Sequence, residues 1–461
     1  MNPSLRLPCV WSRLPAPLVL CLAFAGCASY HPLPLPAASA LPAQTQALRV
    51  DTAGLALPEL ARRKVDLDGP LDIEAVAALA VLNDPRLRLA RDARGVAQAQ
   101  AFAAGLLPDP QFSASRDLPQ GDTAATSTAY SLGLGFDLGR LITRGAAQAA
   151  ARADLKSVDL QILWQEWQTA ADAELAYVRL VALRERDALL RRERDQVATR
   201  RARNLAAVAA GDLARTAADA DLVELQALEQ KLADDRVAQL AQQAALDALL
   251  GLAPSVELRL AGLPAPGPLA QNQAQQALAR LDEIRPDLMA LRAGYESQEQ
   301  KLREAVLAQF PSFSIGFTRA RDTSNLHTLG FNVGFSLPIF DGSRGAIAVA
   351  RATRSQLRDE YQLRLATAQA DVQQAVAHIA LLREQGARLE AALPTLAQAA
   401  DGAEAALATG DLSLPQAQAQ RLAWLEQRLA LQANSQQLAE QSVALQLITG
   451  RGVFAGAARP D

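Results

Sequence analysis

The chain has 461 residues, 50% of them apolar and only 4% aromatic, and a formal net charge of −3. A length that ordinarily divides into about two to four globular domains is here rich in Ala, Leu, Gln and Arg, which points instead to long helices. The mild negative charge, with no basic cluster interleaved with aromatics, excludes a nucleic-acid surface.

The first 26 residues hold Arg6 and Arg13, no acid, and an apolar run from Leu18 to Ala25 that is too short to span a membrane. This is the pattern of a secretory signal peptide. Phe24-Ala25-Gly26-Cys27 resembles the lipobox of bacterial lipoproteins, with Phe24 where Leu is usual, so Cys27 is the expected lipidation site (palmitate in a diacylated lipoprotein). Cleavage ahead of Cys27 removes Cys9 and Cys21 and leaves no pair for an internal disulfide. Residues 27–70, dense in Pro, Ala and Leu, read as a lipid-anchored extended tether along the outside of the body.

From Leu71 the apolar spacing of Ile73, Val76, Ala77, Leu79 and Ala80 predicts a helix that continues past Pro85 to about Leu107, where Pro108 and Pro110 end it. Alternation from Ser127 to Leu138 predicts a strand, and Gly139 and Gly145 bracket a turn. Leu160, Trp164, Trp167, Ala171, Leu175, Val178, Ala182 and Leu189 then step along a coiled-coil seam in a helix uninterrupted from Ala146 to Ala210. Gly211-Asp212-Leu213 reverses the chain: Gly211 takes the left-handed conformation, Asp212 caps the next helix, and the return runs to Leu250. Residues 251–273 form a linker. The pattern then recurs about 200 residues on, with Ile284-Arg285-Pro286 for Asn83-Asp84-Pro85, Pro311-Ser312-Phe313 for Pro110-Gln111-Phe112, and Gly410-Asp411-Leu412 for the first reversal. Pro394 lies inside the second long helix, and Ser413 with Gln416 has capping-box spacing. The organisation is a duplicated helix-hairpin-helix unit, residues 71–250 and 274–450, with a tail at 451–461.

The second hairpin shows the alternation best. Phe313, Ile315 and Phe317, then Phe331, Val333 and Phe335, fall on one face, against Ser312, Ser314 and Gly316, then Asn332 and Gly334, on the other. Apolar-out with small-polar-in is the pattern of a membrane barrel with a wet lumen, which makes those six apolar residues lipid-facing. An edge hairpin of a soluble sheet alternates in the same way, and the recurrence of the hairpin favours the membrane. Catalytic constellations are missing. His31, His327 and His378 are scattered, Gly133-Leu134-Gly135 with Gly139 has the wrong spacing for a dinucleotide loop, and Asp234 with Asp235 or Asp359 with Glu360 reads as a solvated helical face. The chain is therefore expected to be no enzyme and to hold no cofactor or metal.

Signal, repeat, paired hairpins and long helices returning through glycine turns resemble the TolC-like outer-membrane efflux family over about residues 70 to 450. The specific elements are Asn83-Asp84-Pro85, the stretch from Phe335 to Gly342, and the two turns at Gly211 and Gly410. The resemblance implies a mainly α fold with a membrane β-barrel. A homotrimer gives four strands per chain to a 12-strand barrel, and antiparallel coiled-coil helices form a tunnel across the periplasm. Four strands cannot close a barrel; about eight is the smallest number seen, so a dimer would also close, and the resemblance selects the trimer. The implied function is the passive exit duct of a tripartite efflux system in the outer membrane. An inner-membrane transporter delivers the substrate, and a periplasmic adaptor protein docks on Gly211, Asp212, Leu213, Gly410, Asp411 and Leu412. Two alternatives are a duct for protein secretion and a lipid-anchored periplasmic coiled-coil scaffold. In relatives an acidic residue two helical turns beyond the second reversal joins a ring of negative charge; here that region reads Gln416-Ala417-Gln418-Ala419, with Asp411 and Asp212 the nearest acids.

Overall fold

The structure, a computed structural model, describes residues 30–38, 41–120, 126–254, 256–263 and 271–450. The signal segment, Cys27 and the 451–461 tail lie outside the described residues. Two units are distinguished, Met1–Leu41 and Pro42–Asp461. In the first, residues 30–38 and 41 carry no helix or strand.

In the second unit a 3-10 turn at Thr45–Ala47 and α1 (Pro58–Ala61) lead into α2 (Ile73–Asn83) and α3 (Pro85–Ala104), followed by β1 (Gln111–Asp117), β2 (Ala129–Asp137), α4 (Gly139–Ala210) and α5 (Arg215–Leu249). The order then recurs with α6 (Gln271–Leu278), α7 (Leu281–Ile284), α8 (Pro286–Leu307), β3 (Ser312–Arg321), β4 (His327–Ser336), α9 (Arg344–Thr409) and α10 (Leu414–Thr449). Ala, Leu, Gln and Arg lose little rotamer freedom in a helix, and runs of them give α4 72 residues and α9 66, on the order of 100 Å each. Neither can bury itself, so α4 lies along α5, α8 and α10, and α9 lies along α8 and α10. Among the described residues no helix is apolar enough over sufficient length to cross a membrane.

The core sits midway along this bundle. Tyr177, Leu180 and Val181 of α4 meet Val76 and Leu79 of α2 and Leu246 of α5; Val372, Ile379 and Leu382 of α9 meet Leu438 and Leu445 of α10. Each such side chain contributes about 1.5–3 kcal/mol by leaving water. The seam residues expected in α4 are buried or half-buried, Val178 and Ala171 fully so, and Ala170, Ala173, Tyr177 and Leu180 off the seam are as deep, because this helix has neighbours on several sides.

Several features differ from the sequence reading, among them the helix expected to run past Pro85, which ends at Asn83 and restarts at Pro85 with Asp84 as its N-cap. From Pro42 onward the expected tether is docked: Leu57 and Leu60 are buried against Ala77, Val81, Leu87 and Ala170, and the Asn83 side chain holds the Arg49 backbone through both its amide (2.9 Å) and its carbonyl (3.0 Å). Apolar residues spaced too widely for a periodic signal anchor it. The turn expected between Gly139 and Gly145 is helix, α4 starting at Gly139 with Gly145 facing open space. Pro394 does not break α9; Gln427 of α10 donates to the Leu389 carbonyl at 2.9 Å, beside the acceptor that the proline leaves without its usual amide. Nearby, Asn434 packs so close to Gly386 that a Cβ there would lie 2.6 Å from its Oδ1, and its amide donates to Leu382 O at 3.1 Å.

Candidate functional site

Two surfaces carry the functional expectations: the helix reversals at one end and the sheet. Both reversals have one geometry. Gly211 and Gly410 have φ +82° and ψ +7°, a left-handed conformation that L side chains adopt at a cost. Asp212 N donates to Ala207 O and Asp411 N to Ala406 O, each at 2.9 Å, while the glycine amides reach Val208 O (3.1 Å) and Leu407 O (3.2 Å). These are paired Schellman closures. Gly211, Asp212, Gly410 and Asp411 are exposed, and Leu213 and Leu412 are half-buried. The two aspartates do not cap the following helices: the N-caps are Ala214 and Ser413. Asp411 instead accepts from the Thr409 hydroxyl at 2.6 Å, and the Ser413–Gln416 capping box forms as its spacing predicts, Gln416 Oε1 accepting from Ser413 N at 3.2 Å.

Behind the reversals a polar clamp joins the α4–α5 hairpin to α10. Arg200 donates to Asp221 at 2.8 Å and to Glu224, and Asn204 donates to Asp221 at 2.6 Å. From α10, Gln418 reaches the same two acids at 3.1 and 3.4 Å. Burial opposes the charge on Arg200, but Asp221 and Glu224 outweigh it and hold the guanidinium above its ordinary range. One helical turn further, Arg421 forks onto Glu193 (3.0 and 2.7 Å), donates to Gln196 at 2.6 Å and stacks over Trp424 at 4.3 Å. Asp221 and Glu193 are both buried. Sequence reasoning missed these residues. Gln418 falls in the segment noted for lacking an acid, and there it binds two acids contributed by the other hairpin.

The four strands form one antiparallel sheet in the order β1-β2-β3-β4. The register pairs Phe313 with Phe335, Ile315 with Val333, and Phe317 with Phe331, so the six residues expected on one face lie together. Leu134 stands opposite Phe317, and Phe112 opposite Leu134, which extends the apolar face across all strands. Ser113, Gly133, Thr318 and Gly330 occupy the other face. Phe317, Phe331, Val333 and Phe335 are exposed in the single chain, with no layer packed on them. β3 runs to Arg321, beyond which Asp322 Oδ1 accepts from Ser324 N and Leu326 N at 2.9 Å and closes a short turn. β4 stops at Ser336, short of Leu337 and Ile339.

This architecture is shared along nearly the whole chain with solved channels. The outer-membrane channel OprN is 16% identical with a TM-score of 0.72, covering 93% of this chain and 100% of that one. The CmeC outer membrane channel of Campylobacter jejuni is 17% identical, TM-score 0.68, covering 92% and 95%. The outer membrane protein VceC of Vibrio cholerae is 18% identical, TM-score 0.68, covering 82% and 96%. No curated protein matches the sequence. Residues 273–451, the second repeat, match the model of the outer membrane efflux protein family. The second repeat is similar in sequence to that family, and the whole chain shares the fold of the solved outer-membrane channels. The proteins it resembles are outer-membrane efflux proteins and outer-membrane channels.

Proposed function

We propose that three copies of this efflux protein close a 12-strand barrel in the outer membrane and conduct substrate passively, as the exit duct of a tripartite system. The observation that carries this reading is the open sheet. β1 and β4 are edges, and unpaired backbone groups in hydrocarbon cost several kcal/mol each. Neighbouring copies remove both edges at once by pairing β4 of one with β1 of the next, which also keeps the strands antiparallel. Phe313, Ile315, Phe317, Phe331, Val333 and Phe335 then face lipid, and the Ser, Gly and Asn face lines water.

In this assembly the reversals at Gly211, Asp212, Leu213, Gly410, Asp411 and Leu412 receive the periplasmic adaptor, while an inner-membrane transporter supplies the energy. Cys27 carries the lipid, which adds membrane affinity of about 0.8 kcal/mol per buried methylene to a barrel already held by its apolar belt. The protein purified from outer membranes in detergent is expected to contain three chains by light scattering. Two chains would favour an eight-strand closure, and a soluble monomer after Cys27→Ala would favour the lipid-anchored scaffold.

A further inference from the structure

The basic side chains of the sheet all lie on its apolar face, at the turn end. Arg116, Tyr130, Arg321 and His327 form one register row across the four strands, with Arg319 in the next row of the same face. The two strand carboxylates, Asp117 and Asp137, lie on the opposite face. Among the described residues Arg116, Arg319 and Arg321 have no acidic partner, and Arg321 Nε is shielded from solvent without an acceptor. Its row neighbours Tyr130 and His327 meet edge to face, ring centroids 6.5 Å apart.

Long cations that merely snorkel belong at both borders of an apolar band. Here the other border has Phe313 against Phe335, centroids 6.4 Å apart, and no basic residue on any strand. From Phe313 to Arg321 the strand rises about 26 Å along its own axis, or about 20 Å along the barrel axis at a tilt of about 40°, which is most of the apolar height of about 25 Å of an outer-membrane barrel. The helices leave the sheet at the Phe313 border, so the arginine row lies at the headgroup level of the outer leaflet.

The geometry points to a phosphate-binding row on the lipid-facing surface, in which Arg116, Arg319 and Arg321 hold the phosphorylated sugar headgroup of an outer-leaflet glycolipid. Guanidinium forks match phosphate oxygens in pairs, and a phosphate above Tyr130 and His327 supplies the acceptor that Arg321 lacks. This assignment rests on the reading that the apolar face meets lipid. The test uses the purified full-length assembly in detergent, its chain number and its thermal midpoint. Bisphosphorylated lipid A is expected to raise the midpoint, whereas dephosphorylated lipid A and inorganic phosphate leave it unchanged. Combined Arg116→Gln, Arg319→Gln and Arg321→Gln is expected to raise the half-saturating lipid concentration about tenfold. Equal stabilisation by the dephosphorylated lipid, or by phosphatidylglycerol, would overturn the assignment, and the lipid comparison on wild type reads this even if the triple variant fails to assemble. An intact trimer without phosphate preference sinks this inference alone; absence of any oligomer sinks the barrel beneath it.

Discussion

Asp84 and Arg285 hold the same position in the two repeats, each directly before the proline that begins a helix, and they carry opposite charges. Asp84 is forked by Arg86, Nη2 to Oδ2 at 2.8 Å, and Arg285 forks Asp287 at 2.7 Å, so the ion pair keeps its spacing while its polarity is inverted. The environments differ. The Arg86 side chain is 68% exposed, whereas Arg285 and Asp287 are 4% and 6% exposed, and Arg285 also stacks on Trp164 at 5.0 Å. Asp84 is buried like Asp287, so Arg285→Ala and Arg86→Ala should each destabilise the fold by about 3–5 kcal/mol by taking the fork from a buried carboxylate, Asp287 keeping Arg364 at 3.5 Å and Asp84 the Thr169 hydroxyl at 3.4 Å. Urea midpoints of the two variants in detergent measure both losses; a loss below about 1 kcal/mol in either would show that burial of its aspartate does not set the cost.

Substituting both reversal glycines separates folding from docking. A Cβ at Gly211 or Gly410 meets nothing within 4 Å, so Gly211→Val with Gly410→Val costs only backbone strain, about 1–2 kcal/mol per site. Normal amounts of assembled protein are expected in the outer membrane, with adaptor cross-linking and export lost. Export at the wild-type rate would remove the tips from the docking surface.

Adjacent strand residues should respond oppositely to the same substitution. Val333 lies among the phenylalanines and Asn332 stands opposite Gly316 on the small face. Arg at mid-depth on the lipid face costs about 2–4 kcal/mol, so Val333→Arg should reduce assembled protein while Asn332→Arg leaves it intact. Heat-resistant oligomer on a gel reads both, and equal tolerance would contradict a membrane strand.

The clamp behind the tips predicts a change in conductance. Arg421→Ala leaves Glu193 buried without its fork and costs about 3 kcal/mol of local attachment between α10 and α4. Larger or more frequent openings are expected in planar bilayers. Wild-type openings from a correctly assembled variant would make the clamp purely structural.

Asp235 gives a pH dependence. Burial lifts its carboxyl above the ordinary 3.8, Asp187 and Asp234 add to the rise, and Arg186 opposes it. A folded value above the unfolded one means that ionisation is disfavoured in the folded state, so this residue's contribution is favourable at low pH and falls as pH rises through the folded value. Asp235→Asn should melt higher than wild type near pH 7, with the gap closing as pH falls to about 4. A lower midpoint at neutral pH would mean that the Arg186 contact, at 3.2 Å, dominates.

What was legible in the sequence is what local chemistry writes. The alternation from Phe313 to Phe335 needs only the two-residue period of a strand, and Gly211 and Gly410 need only the steric freedom of the left-handed region, so both were readable residue by residue. Pairs set by distant packing were not. Arg421 meets Glu193 although nothing near either residue marks the other. Asp234 and Asp235 looked like one solvated pair, but neighbours on a helix point about 100° apart; Asp234 is exposed and Asp235 is 3% exposed beside Arg186. The docking of residues 42–70 rests on Leu48, Leu57 and Leu60, too sparse to register as a pattern.

The matching backbone angles of Gly211 and Gly410 bear on stoichiometry. Duplication within one chain gives two ends of the same backbone shape, but Leu213-Ala214-Arg215 follows one and Leu412-Ser413-Leu414 the other. In a threefold assembly this makes six quasi-equivalent ends of two alternating kinds. A partner that reads only the backbone curve finds six berths, and one that also reads Arg215 or Leu414 finds three. The ratio in which a partner binds therefore reports whether it recognises the shape of the turn or the side chains that follow it.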